Sequence, residues 1–173
     1  MRSLAAAACL TLVSTLAWAT ATRIAPVDEL ARDADLVVVG APLTEETFWE
    51  NGRIFTSVEL RVDEVWAGEA PAASSVRVLT LGGQVGEFAQ RVDGAAVLPV
   101  GARLVTFLVR DAQGRFHPQG MWQGVFRVVD DGVDPIIARA RPRGIKLPED
   151  AGLRAPERLS QLERLVREAR HGR

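Results

Sequence analysis

From Ile54 to Val62 the side chains alternate, with Ile54, Thr56, Val58, Leu60 and Val62 on one face and Ser57, Glu59, Arg61 and Asp63 on the other. A period of two means a strand with one face in a core and one in water. Asn51-Gly52, just before it, is a hairpin signal because both residues accept positive φ at low cost. The alternation slips at Glu64-Val65-Trp66, ahead of Gly68. A bulge or bend there would rotate the pattern, as a strongly curved or closed sheet requires.

Other segments fit the same β architecture. Leu36-Val37-Val38-Val39, bounded by Gly40 and Pro42, is too short for an amphipathic helix and reads as a strand buried on both faces. Residues 44–53 then turn polar. Ser75 to Leu81 is a strand ended by Gly82-Gly83, and residues 84–99 read as a turn-rich crossing segment in which Val85, Phe88 and Val92 alternate weakly. Arg103 to Arg110 is a central strand, followed by the Asp111-Ala112-Gln113-Gly114 turn into Phe116. Val125, Phe126, Val128 and Val129 supply the next strand, and Asp130-Asp131-Gly132 turns into Ile136-Ile137 as a final edge. A short helix from Pro26 to Asp33 opens the domain. A second spans 156–171, with Leu159, Leu162, Val166 and Ala169 on one face and Glu163 placed to pair with Arg167.

The amino terminus has a separate purpose. Arg2, the apolar run Leu4 to Leu16 and Ala17-Trp18-Ala19 read as a signal peptide cleaved after Ala19, with Ala21 as a second site. Cleavage removes one charge, Arg2, so the net charge moves from −1 to −2. That near-neutral balance lacks the positive field of a nucleic-acid binder, and no further membrane span is expected. Cys9, the only cysteine, lies in the leader, so the exported domain has no disulfide, thiolate ligand or cysteine nucleophile. Export to a bacterial periplasm or the exterior is the expectation. The division is 1–19 signal peptide, 20–137 β-barrel, 138–155 extended connection and 156–171 a helix docked on the barrel.

Residues that could carry chemistry are few. His117 and His171 are the only histidines, one in a turn-rich segment and one in the tail, and both read as ordinary packing or surface residues. Asp130, Asp131 and Asp134 could gather around a calcium ion, but their spacing lacks the distal bidentate glutamate, so a hairpin turn is expected. Glu45, Glu46 and Glu50 read as solvated surface near a loop tip, and Gly82, Gly83 and Gly86 as strand termination rather than a phosphate loop. Arg139, Arg141 and Arg143 read as a solvated linker rather than a polyanion site. No catalytic residue, metal ligand or cofactor is assigned. Indole and phenyl rings near turns make rigid anchors when exposed, so Phe48, Trp49, Trp66 and Trp122 are the binding candidates, with core packing the favoured role for Trp66 and Trp122 and an equal alternative for Trp49.

Ala34-Asp35-Leu36-Val37-Val38-Val39, the strand ending Val62-Asp63-Glu64-Val65-Trp66-Ala67-Gly68, Val100-Gly101 before Leu104-Val105-Thr106-Phe107-Leu108, and the closing helix form a pattern over residues 24–169. It resembles the netrin-like module of tissue inhibitors of metalloproteinases and bacterial exported proteins of that type. The resemblance implies a closed five-stranded Greek-key barrel of the OB type with terminal helices. Combined with the strand inventory, the expected fold is a mainly β, closed or partly open, five- to seven-stranded OB-like barrel. The family's inhibitors chelate a target's zinc through an amino-terminal cysteine; here Thr20 or Thr22 would begin the chain, so no functional residue carries over. The expected function is a non-enzymatic binding module that presents Thr44–Arg53 and Gly82–Val92 to an extracellular or periplasmic protein, with a secreted protease among the candidates. The alternatives are an envelope-associated structural domain anchored by Phe48 and Trp49, and an enzyme with an unrecognised site. The sequence leaves the oligomeric state open.

Overall fold

Two strands of equal length dominate the computed structural model, which describes residues 24–69, 72–142 and 156–171. β1 (Leu36–Glu50) and β2 (Arg53–Ala67) form a 15-residue antiparallel hairpin closed by Asn51-Gly52, with φ of 50° and 75° at the turn. β2 pairs with β3 (Ser75–Leu81). β6 (Leu104–Arg110) runs antiparallel to the first five residues of β1. β7 (Phe116–Pro118) is antiparallel to β6 and parallel to β3 at Val78 and Phe116. The order β1-β2-β3-β7-β6 therefore returns to β1 and closes the ring of five strands expected of an OB-like barrel. β8 (Val125–Val128) and β9 (Ile137–Arg139) extend the sheet beyond β6, while β4 (Gly83–Val85) and β5 (Phe88–Gln90) form a separate small hairpin.

The ring explains the continuous apolar runs. Leu36, Val38, Leu60, Val78, Leu104 and Leu108 fill its interior. The opposite face of β1 and β6 carries Val37, Val39, Val105 and Phe107, buried under α1 (Val27–Asp33) and α2 (Leu159–His171) through Leu30, Ala31, Leu162 and Val166. Both faces are dry from Leu36 to Pro42 and from Leu104 to Leu108, so neither stretch alternates.

Curvature comes from bulges. β1 and β2 slip register at three places, and one of them passes over Trp66, where the sequence pattern slips. Beside another, a Cβ at Gly40 would lie 1.8 Å from the Arg61 carbonyl oxygen, so the strands approach too closely there for any side chain. Gly40 and Pro42, expected to bound the first strand, instead lie within it. The Pro42 carbonyl points away from β2 to the Gly101 N–H, 2.9 Å away, and β1–β6 pairing has already ended at Gly40. The N–H that proline lacks would have faced an unpaired edge.

The expected leader, residues 1–19, and most of the expected connection, 143–155 with Arg143, lie outside the described residues. Two boundaries move. β9 includes Ala138 and Arg139, so extended chain begins at Ala140, and the Arg139 guanidinium lies 5.0 Å over the Phe126 ring and donates to the Ala25 carbonyl rather than standing in solvent. Burial lowers its pKa from the ordinary arginine value. α2 starts at Leu159 rather than Pro156. Asp134 holds its first turn, accepting from the Ser160 N–H at 3.0 Å and hydroxyl at 2.8 Å. Glu163 and Arg167 pair at 2.6 Å as their spacing predicts.

Candidate docking surface at two joined hairpin tips

Beyond its pairing with β6, β1 continues with β2 as a hairpin arm, paired on its β2 side with β3 as far as Phe55 and Leu81, and β4–β5 lies across one face of it. Gly83, at φ 132°, makes this possible: a Cβ there would meet Thr47 Cγ2 and Thr56 Oγ1 at 2.7 Å each. Several hydrogen bonds then fasten the two hairpins. The Ile54 N–H donates to Gln90 Oε1 at 2.7 Å, the Gly82 N–H to the Ile54 carbonyl at 2.8 Å, and Thr56 Oγ1 to the Gly82 carbonyl at 2.7 Å. Thr47 Oγ1 donates to the Gln84 carbonyl. Ile54, beneath them, is fully buried.

The segments 44–53 and 82–92, separately expected to meet a partner, are thus brought side by side. At their tips Trp49 and Phe88 pack edge to face, with ring centroids 6.0 Å apart and planes at 74°. They remain 49% and 66% exposed. On the arm's other face Phe48 is half-buried and stacked on Phe55 at 6.1 Å. Beneath β4–β5 runs a groove of about 570 Å³ lined by Val58, Leu81, Val92, Ala96, Val97 and Leu98, among others.

A charged network braces the arm from the Phe48 side. Arg115 NH1 reaches both Glu50 carboxylate oxygens at 2.9 Å, and its Nε reaches Asp111 Oδ2 at 2.8 Å. His117 Nε2 lies 2.9 Å from the same Asp111 oxygen. Asp111 is held well below the usual carboxylate range, chiefly by its hydrogen bond with His117, with desolvation opposing and the Arg115 and Gln113 donors adding to the lowering. The network ties the β6–β7 turn to the tip of β1. His171 lies at the last residue of α2.

The other aromatic candidates are corrected in role. Trp66 is 7% exposed, donating its indole N–H to Glu64 at 3.1 Å, and Trp122 is 2% exposed in the 3-10 turn Met121–Gly124. A buried indole has no face to offer, and both rings serve the interior. Phe88 is the functional candidate that sequence reasoning passed over. Its only signal was a large apolar ring in the polar, glycine-rich stretch after Gly86-Glu87. Of the aspartates near Gly132, Asp134 fastens the first turn of α2 and Asp130 the turn before β9, its Oδ1 accepting from the Gly132 and Ile136 N–H groups. Among the described residues no three His, Cys, Asp or Glu side chains converge, and no helix is long and apolar enough to cross a membrane. Comparison of the chain with protein-family models, with curated proteins and with solved structures gives no match to any of them.

Proposed function

We propose that this chain is an exported, non-enzymatic binding module that holds a protein partner on the joined tips of its two hairpins, with a barrel of the netrin-like kind as the scaffold. The Trp49–Phe88 pair carries the reading. Two large rings stand half in water on a platform fastened by hydrogen bonds on one face and by ion pairs on the other. Rigid, exposed aromatics clustered at one place are typical anchors of protein interfaces. The signal-like leader supports export, and an extracellular or periplasmic protein, including a secreted protease, is the partner class.

The test is retention from the source's own extracellular and envelope extract on immobilised protein, run in parallel with a Trp49→Ala/Phe88→Ala variant. A partner retained by the native protein should bind the variant about 30-fold or more weakly, as expected for loss of anchors worth about 2 kcal/mol. The variant should keep its melting temperature within a few degrees. Equal retention by both proteins would refute the reading. Loss of binding to lipid vesicles instead of a protein would move the same surface to the envelope-associated role.

A further inference from the structure

The outer edge of the arm has backbone groups without a partner among the described residues. Up to Gly40, β1 is paired on both sides, with β2 and β6; beyond it, β2 is its sole strand partner among the described residues. The direction of its remaining groups follows from Ile54, whose N–H and C=O are taken by Gln90 and Gly82 on the side away from β1. In an antiparallel ladder the residue opposite turns its own groups outward too. Trp49, opposite Ile54, therefore aims its N–H and C=O off the sheet, and so by alternation do Thr47 and Glu45.

Charge says what could join this edge. Glu45 and Glu46 are exposed on opposite faces of the strand and have no ion-pair partner among the described residues, whereas Glu50 is engaged by Arg115. A second copy of the chain fits poorly, because β1 against β1 would crowd the same glutamates of both copies into one short ribbon. A cationic strand meets no such repulsion.

We propose that Leu43–Glu50 takes an extended basic peptide segment of the partner as an added strand. Its backbone pairs with Glu45, Thr47 and Trp49, Lys or Arg side chains lie against Glu45 and Glu46, and an apolar side chain rests on the Trp49–Phe88 pair. This inference rests on the binding-module reading and specifies how the partner is held.

The probe is a fluorescent octapeptide of valine and threonine with a central Lys-Lys pair, which puts one cation on each face. It should bind about tenfold tighter than the same peptide with Glu-Glu, an advantage that shrinks with added salt. N-methylation at alternate residues, which deletes the donors of one edge, should weaken it by about tenfold. Glu45→Pro should weaken binding more than Glu45→Ala, since only proline also removes the outward N–H. Bound peptide should slow amide exchange at Glu45, Thr47 and Trp49. Equal binding of the Lys-Lys and Glu-Glu peptides, tolerance of N-methylation, or no binding would overturn strand addition, and the peptide comparisons need no protein variant to fold. Partner capture lost in Trp49→Ala/Phe88→Ala but unchanged in Glu45→Pro would overturn this inference and leave the binding module standing. Capture unaffected by either would overturn both. Dimerisation abolished by Glu45→Pro would replace the peptide by a second copy.

Discussion

Replacing Gly40 by alanine adds one carbon at the place where β1 and β2 lie closest. That carbon would sit 1.8 Å from the Arg61 carbonyl oxygen and 3.0 Å from its carbonyl carbon, where ordinary contact begins near 3.4 Å. Both obstructing atoms belong to backbone, so no change of rotamer relieves the overlap, and the strands must part by more than an ångström. Parting them costs a ladder hydrogen bond or two at about 1 kcal/mol each. It also disturbs the packing of Val39 and Leu60, which are fully buried on either side of the sheet, at about 1–3 kcal/mol. The expected loss is therefore about 2–5 kcal/mol, the upper end of which is seen only for a specific structural fault. Gly52→Ala is the control. Nothing lies within 4 Å of a Cβ there, so the change bears only the cost of φ 75°, about 1 kcal/mol. Urea unfolding of the three proteins, with midpoints compared at constant slope, reads the difference. Gly40→Ala unfolding no more easily than Gly52→Ala would refute the argument that a backbone contact dictates this glycine.

Three further outcomes follow from the packing and the charges. Thr106 is fully buried in the ring and its hydroxyl has no partner among the described residues, so Thr106→Val should raise the unfolding free energy by about 1 kcal/mol, and a lowered melting temperature would contradict that. Leu162→Ala removes the buried side chain that α2 places against the outer face of the barrel, and should cost about 3 kcal/mol; a cost below about 1 would mean the helix is only loosely attached. Asp111 has a depressed folded pKa, so its stabilisation is complete above the unfolded value of about 3.9 and is lost as pH falls below that toward the folded value. Asp111→Asn should thus lower the melting temperature at pH 7, with the gap to the native protein narrowing progressively as pH falls below about 4, and a gap unchanged from pH 7 to pH 3 would refute the role given to the carboxylate.

The β architecture was legible where a single physical rule governs the pattern. The alternation from Ile54 to Val62 marks one wet and one dry face, and the slip at Trp66 marks a bulge, because both effects are local to one strand pair. The closed ring was reachable only by combining such segments with a resemblance, since β3–β7 pairing joins Val78 to Phe116 across a wide sequence gap. Gly40 and Pro42 misled because their usual meaning is interruption. Here one answers a close backbone approach and the other an empty edge, and neither condition is written in neighbouring residues. The surface was half legible for the same reason. Trp49 beside Asn51-Gly52 announces an exposed ring at a turn, whereas the pairing with Phe88 exists only once Gly83 lets a second hairpin fold back on the first.

The bracing of the arm bears on why the proposed docking site lies at its tip. Past Phe55, where pairing with β3 ends, the hairpin tip has two strands only, and an anchor on an unbraced tip would lose conformational freedom at every encounter. β4–β5 removes that weakness on one face by taking up the Ile54 backbone groups and the Thr47 and Thr56 hydroxyls. On the other, Arg115 joins Glu50 to Asp111; such half-exposed ion pairs add little to global stability, so their consequence is orientation. Trp49 and Phe88 then have two side-chain torsions each, already restrained by their edge-to-face contact, and freezing them on association costs little. The buried Trp66 and Trp122 stabilise the interior at no such site. Among the described residues Trp66 and Trp122 are core side chains while the Trp49–Phe88 pair stands half in water on a doubly fastened hairpin tip, and on the proposed reading that preorganised area is where a partner gains most per group immobilised.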